Sequence, residues 1–170
     1  EALSEATGET CQLVVPDRDM LLVLDCIAPR ADFFLNVVPG SRQHAHASAF
    51  GKALLAFLPP GEREALLVPP LKALTEKTLT TREALERELA EVGRRGLAYD
   101  REEYVEGLRC IGAPVFNVGG HAVAGVGCTG FAGQSGPKRA ARAEGQVLAC
   151  AGAISAAIGY DGAFFTEKSA

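Results

Sequence analysis

The spacing of apolar residues changes character twice along the chain. Early on, the apolar positions come in short runs: Thr10–Val15, Met20–Ile27 and Asp32–Val38, divided by Pro16-Asp17-Arg18-Asp19 and by Pro29. Short runs separated by turn residues predict three strands in an antiparallel meander, ended by Pro39-Gly40. From His44 to Leu58 the pattern shifts, with Phe50, Leu54, Phe57 and Leu58 at helical spacing and Ser48 placed as an N-cap. Gly51 inside this helix costs about 1 kcal/mol relative to alanine, which points to a close packing contact or a ligand. Pro59-Pro60 stops the helix, and Pro60 can start the next over Gly61–Leu67. Thr80 with Glu83 reads as a capping box before an amphipathic helix to Arg95, striped by Leu85, Leu89 and Val92 and closed by Gly96.

Strands then return. Leu97–Asp100 begins one, and Cys110–Asn117 and Ala122–Thr129 flank Val118-Gly-Gly-His121, a hairpin signal. After a glycine-rich loop over Gly130–Gly136, Pro137 opens a last helix to about Ile158, with a stripe of Ala140, Ala143, Val147, Ala151, Ile154 and Ile158. The tail from Gly159 is expected to be mobile. Before all of this, Glu1–Ala6 has helix formers without an N-cap, closed by Gly8: the end of a helix begun upstream, or a frayed native N-terminus. The succession predicts an α+β fold, an antiparallel sheet flanked by helices, in a single domain over residues 1–170.

Composition narrows what such a domain does. Hydrophobic residues make up 48% of the 170 and charged residues 22%, an ordinary globular mixture. The longest apolar runs are far too short to cross a bilayer, so no membrane partner is expected. The net charge is −4 with no clustered Lys/Arg, which argues against DNA binding by this chain alone. Five cysteines (Cys11, Cys26, Cys110, Cys128, Cys150) without close pairing read as free thiols in a reducing cytoplasm.

Several chemistries can be tested against the motifs. No Gly-x-Ser-x-Gly elbow is present, and Ser135 in Gly-Gln-Ser-Gly has no strand-to-helix turn to carry it. Cys110 as a nucleophile would need a positioned base, and His44, His46 and His121 are the only histidines. His44-x-His46 with Cys110 or Cys128 could be drawn as a zinc site, but no CxxC or HxxxH pairing supports it. Gly125-Val-Gly-Cys-Thr-Gly130 spells a dinucleotide fingerprint, yet it falls within a strand and is read as a chance match. No catalytic residue, metal or cofactor is therefore assigned. The segment Tyr99–Val115 remains of interest: it places carboxylates, two arginines and a thiol at the start of an apolar run read as a buried strand.

What is left is a binding module, and four blocks resemble a family. His46-Ala-Ser-Ala-Phe-Gly-Lys-Ala-Leu-Leu-Ala56, Gly96-Leu-Ala-Tyr-Asp-Arg-Glu-Glu-Tyr104, Gly107-Leu-Arg-Cys-Ile-Gly-Ala-Pro-Val-Phe116 and Val126-Gly-Cys-Thr-Gly130 occur in order, with the Thr80 helix between the first two. Together they resemble the C-terminal effector-binding domain of IclR-type transcriptional regulators, over Glu1 to about Ile158. The resemblance implies a GAF-like fold holding a small-molecule effector and assembling as a homodimer or homotetramer. It also implies an N-terminal winged helix-turn-helix, absent from this chain, through which alone DNA would be bound.

Carried over by position, the effector-binding residues would be Ala49, Phe50 and Gly51, offering backbone N–H groups, with Asp100 and Cys110 on one wall and Gly127 and Thr129 on the other. Gly127 stands where some relatives that bind small acids have serine, and Phe50 where some have a smaller residue. An aromatic or larger organic acid is thus as credible an effector as glyoxylate or pyruvate. Local readings stand beside these. Asp100 can cap the turn before Glu102, Cys110 and Thr129 can be core-facing strand residues, and Gly51 and Gly127 can be packing and bulge glycines. Arg101, Glu102, Glu103, Glu106 and Arg109 read as solvated surface, with Arg109 pairing Glu103 or Glu106. The expectation is a ligand-sensing, oligomerising regulator domain without catalysis. A GAF-type sensor of another lineage and an enzyme using Cys110 stand as alternatives.

Overall fold

The chain enters through α1 (Ala2–Thr7), which Gly8 closes in the left-handed conformation at φ 65°. This computed structural model describes residues 1–31, 34–134 and 136–168. β1 (Thr10–Asp17) and β2 (Met20–Ile27) then pair as an antiparallel hairpin, with Val14 opposite Val23 on the buried face. The third strand is not where the apolar run suggests. Asp32 and Phe33 lie outside the described residues, and residues 34–38 form no strand. β3 is instead Arg42–Gln43, set against Leu21 and Leu22 of β2. The backbone explains the shift: Val23 N–H donates to the Ser41 carbonyl and Gly40 N–H to the Val23 carbonyl, so β2 takes its partner from the far side of the Pro39-Gly40 turn. Residues 34–38 are thereby freed to cover the sheet.

Three helices follow: α2 (Ala49–Leu55), α3 (Pro60–Leu66) and α4 (Arg82–Arg95). The cap of α4 falls one residue later than the box signature, since the Thr81 hydroxyl accepts from Ala84 N–H. Leu85, Leu89 and Val92 are its buried stripe, and Gly96 ends it at φ 75°. β4 (Ala98–Arg101), β5 (Leu108–Phe116) and β6 (Ala122–Phe131) complete a six-stranded antiparallel sheet in the order β3-β2-β1-β6-β5-β4. A short 3-10 turn (Ala132–Gln134) leads toward α5 (Pro137–Ala157). The fold is α+β, as the alternation of patterns predicts.

Glycines decide how close the helices come. A Cβ on Gly112 of β5 would lie 2.9 Å from the Ala49 carbonyl, and one on Gly125 of β6 2.6 Å from the Phe50 carbonyl. The first turn of α2 therefore rests on strand backbone, with no side chain between. Gly51 faces the Ala45 carbonyl and Gly127 the Ile111 carbonyl with no room for a Cβ, so both are packing glycines. A Cβ on Gly130 would meet the Glu9 carboxylate at 2.6 Å. The spelled Gly125-x-Gly-x-x-Gly130 motif is thus a strand made of close approaches, with no phosphate loop in it.

Strand residues of opposite parity, Ile111, Ala113 and Val115, face away from α2. There α5 packs across β5 and β6 with Ala143, Val147 and Ala151 buried. Ser155 Oγ donates to the Ala151 carbonyl and accepts Phe116 N–H, tying α5 to the end of β5. The tail, expected to be mobile, carries a helix as far as residue 168. α6 (Ala163–Lys168) sets Phe164 against Phe57 and Phe116 in edge-to-face contacts at 5.1 and 5.0 Å, and Phe165 is buried. Burial of two aromatic rings outweighs the glycines at 159 and 162 that make the tail look loose in sequence. Among the described residues no helix is long and apolar enough to cross a membrane.

Candidate functional site

Cross-strand register brings three residues into a single row. Asp100 on β4 stands opposite Cys110 on β5, and Cys110 opposite Thr129 on β6. Period-two alternation sends all three to the face that carries α2. There they line a cavity of about 220 Å³ together with Gln12, Gln43, Ser48, Phe50 and Tyr104. Its remaining walls are Leu35, Asn36 and Val37 from the segment that leaves the sheet, and Val105 and Leu108 from the loop after β4.

The polar groups of this wall are joined end to end. Ser48 Oγ donates to Gln43 Oε1 at 3.4 Å, and Gln43 Nε2 to Gln12 Oε1 at 2.7 Å. Gln12 Nε2 donates to Thr129 Oγ1 at 3.1 Å, and Thr129 Oγ1 to Cys110 Sγ at 3.2 Å. Cys110 Sγ then donates to Asp100 Oδ2 at 3.5 Å. Every donor points toward Asp100. The other carboxylate oxygen, Oδ1, accepts backbone N–H groups from Glu103 at 2.7 Å and Tyr104 at 3.2 Å. Burial raises the pKa of Asp100, opposed by those two amides, the Cys110 thiol and the charge of Lys52. Burial also pushes the Cys110 thiol well up, and the neighbouring Asp100 charge adds to this. A thiol held protonated is the reverse of an activated nucleophile.

Beneath this wall sits an ion pair. Lys52, wholly buried in α2, places Nζ 2.6 and 2.7 Å from the two oxygens of Glu103 and 3.6 Å from Glu88 on α4. Glu103 is therefore not solvated surface. It is 6% exposed, and burial raises its pKa against the opposing pull of Lys52. The hydroxyls of Thr75 and Thr78 donate to the Glu102 and Glu103 carbonyls at 2.7 Å each, holding the loop from outside. Gly107, at φ 78°, lets that loop turn back into β5. Arg109 also departs from its expected partners: it meets Glu9 Oε1 at 2.6 Å, on the α5 side of the sheet.

The expected site residues divide accordingly. Phe50, Asp100, Cys110 and Thr129 line the cavity. Ala49, Gly51 and Gly127 do not: Ala49 rests on Gly112 of β5, Gly51 on the Ala45 carbonyl just before α2, and Gly127 on the Ile111 carbonyl of β5. Ser48 does precede α2, but its hydroxyl is turned to Gln43 and caps no backbone N–H. Gln12 and Gln43 were not foreseen. Alternating with Cys11 and Leu13, Gln12 reads locally as the solvent side of an amphipathic strand. His46 is buried with Nε2 2.9 Å from the Lys72 carbonyl. Among the described residues no three His, Cys, Asp or Glu side chains are placed to hold a metal. All five cysteines are free thiols, and Ser135 lies outside the described residues.

Sheet, helices and walled cavity define the class: an α+β domain with a small-molecule-sized cavity between sheet and α2. The family model for the bacterial transcriptional regulator IclR C-terminal domain matches residues 1–156. The chain is 39% identical over 129 residues to the HTH-type transcriptional regulator BhcR of Paracoccus denitrificans, covering 75% of this chain and 46% of that one. It superposes on the Thermotoga maritima IclR structure with TM-score 0.87 at 31% identity, over 94% of this chain and 65% of that one. The crystal structure of the C-terminal domain of Escherichia coli KdgR gives TM-score 0.83 at 32% identity, covering 94% and 93%. The chain belongs to the IclR family of transcriptional regulators and corresponds to the C-terminal domain. It spans about half the length of BhcR and of a second curated relative, SauR of Cupriavidus necator, at 46% and 50%.

Proposed function

We propose that this domain senses a small-molecule effector in the cavity between α2 and the sheet, and that it carries out no catalysis. The observation that supports this is the buried, fully connected polar wall facing an otherwise apolar space of about 220 Å³. Convergent polar groups within apolar walls are how small-molecule sites are built. Phe50, Asp100, Cys110 and Thr129 are the proposed contacts. Ala49 and Gly51 would act by seating the first turn of α2 so that Phe50, between them, faces the cavity. Gly127 would act by keeping β5 and β6 close.

Binding would shift an equilibrium between pre-existing states of a cytoplasmic homodimer or homotetramer. An upstream winged helix-turn-helix would read that shift as a change in operator affinity. The effector would be an organic acid or aromatic catabolite. Thermal-shift screening of such compounds tests the reading, since a ligand of the native state raises the melting temperature. It fails if no compound stabilises the domain and Asp100→Ala leaves the reporter response of the full-length regulator unchanged. A turnover assay of Cys110→Ser separates an enzyme from a sensor, because loss of a catalytic activity would require the thiol as nucleophile.

A further inference from the structure

The face of the sheet turned away from the cavity carries a charge pattern of its own. Arg101 on β4 stands directly opposite Arg109 on β5. With Tyr99 they share the face that meets α5, by the same alternation that sends Asp100 and Cys110 the other way. Like charges placed opposite one another across strands repel. The sheet relieves this for one of them only: Gly130 follows Arg109 in the row, and across it the Arg109 guanidinium reaches Glu9 at 2.6 Å. Arg101 stays 62% exposed, its guanidinium 4.6 Å over the Tyr99 ring and 3.6 Å from Glu88. Arg95, at the end of α4, adds a third guanidinium to the cleft of about 310 Å³ that these residues form with Ala140 and Glu144 of α5. Against three arginines, Glu144 is the one carboxylate facing the cleft among the described residues, since the Asp100 carboxylate is turned to the opposite cavity. Each arginine also shares its carboxylate partner with a second cation: Glu91 serves Arg94 and Arg95, Glu88 serves Lys52 and Arg101, and Glu9 serves Arg109 and Arg139. Arg109 Nε is buried with no hydrogen-bond partner.

We propose that this cleft is a second ligand site, one that binds a phosphoryl group between Arg101 and Arg109 with Arg95 beside them. The donors set the chemistry. A guanidinium presents paired N–H groups that match the oxygens of a carboxylate or a phosphate. A planar carboxylate has two oxygens and satisfies one such fork. A phosphoryl group has three, so it engages forks from two strands at once, and its charge of about −2 offsets the opposed arginine pair. A cleft of about 310 Å³ is at the small end of ligand sites, which suits the group with a short organic remainder. It lies on the opposite face of the sheet from the cavity proposed for sensing, so the two assignments hold or fail independently.

Calorimetry on the 170-residue chain with inorganic phosphate and with glycerol 3-phosphate tests this, in phosphate-free buffer held at constant ionic strength with chloride. Both anions should bind with one-to-one stoichiometry. Arg101→Gln should weaken each about tenfold or more, the loss expected for a hydrogen bond to a charged group. Arg30→Gln, an exposed change of the same charge outside the cleft, should leave both unchanged. Arg101 is the informative arginine, because Arg109→Gln would strand the buried Glu9 carboxylate and mix binding with folding. Ala140→Trp fills the cleft with every charge kept and should abolish binding; a cooperative melting transition shows that each variant is folded. Glycerol 3-phosphate binding more tightly than inorganic phosphate identifies a phosphorylated metabolite as the source, the reverse order identifies the free ion, and either order supports the site. Absence of saturable binding by both anions overturns it, as does binding that survives Arg101→Gln or Ala140→Trp.

Discussion

Lys52 and Glu103, 51 residues apart, meet in a fully formed ion pair with both carboxylate oxygens within 2.7 Å of the ammonium. The pair ties α2 to the loop that carries Tyr104 and Val105 over the cavity. Its neighbour Asp100 is held by the Glu103 backbone N–H, so the charge pair and the cavity wall share one residue.

Removing only one partner should be costly. Lys52→Met strands a buried carboxylate and is expected to destabilise the domain by about 3–5 kcal/mol, as broken buried pairs do. Lys52→Met with Glu103→Leu should recover much of that, because no buried charge is left alone. Urea denaturation of both variants is the measurement. Equal loss in the single and double variants would contradict the ion-pair account.

The strand glycines make a second prediction. If Gly127 were simply an absent hydroxyl donor, Gly127→Ser would improve ligand binding at no cost. The structure leaves no space between Gly127 and the Ile111 carbonyl, so even Gly127→Ala should destabilise by about 1–3 kcal/mol through forced backbone movement. An unchanged melting temperature for Gly127→Ala would refute this.

His46 should impose a pH dependence. Its pKa is lowered chiefly by burial, against the Lys72 carbonyl, with His44 and Lys52 lowering it further. The stability it contributes is present above the ordinary imidazole value of about 6.5 and is lost as pH falls through the depressed folded value. Asp100 and Glu103 have the opposite sign: burial raises both, so their protonation on acidification favours the folded form. The difference between wild type and His46→Gln isolates the imidazole. That difference should narrow as pH drops from 7.5 toward 5; parallel stability curves would show that His46 does not titrate with unfolding.

The C-terminal helix should be structural. Phe165→Ala removes a ring 9% exposed and is expected to cost about 3 kcal/mol. Truncation at Gly159 should also expose Phe57 and Phe116, and dye binding to newly exposed apolar surface reads this out. A truncated chain with unchanged melting temperature and no dye uptake would mean that α6 is dispensable.

What could be read from the chain in advance follows physical range. The stripe of α4, the hairpin at 118–121 and the proline boundaries of α2 and α3 are set by neighbours within a few residues, and they stand where the periodicity puts them. The cavity row was reachable in part, because Asp100, Cys110 and Thr129 lie on strands whose register a hairpin constrains. Lys52 reads as the exposed position of a helix, since its partner is remote in sequence. Gln12 alternates like a surface residue, and the partners that hold it inward, Gln43 and Thr129, are remote in sequence. The β3 misplacement has the same origin: residues 34–38 carry strand-like composition, but β2 can pair with only one segment on that edge, and the turn at Pro39-Gly40 delivers Arg42–Gln43 to it.

The glycine seat of α2 has one more consequence. With Ala49 and Phe50 resting on the backbone of Gly112 and Gly125, the place of Phe50 in the cavity wall is set by main-chain contacts that no single substitution can trim. The outer end is made of side chains on irregular segments, Leu35, Asn36, Val37 and Val105. Under the sensing role proposed above, the ligand accepted would change by redrawing the rim alone, with the sheet and α2 left intact.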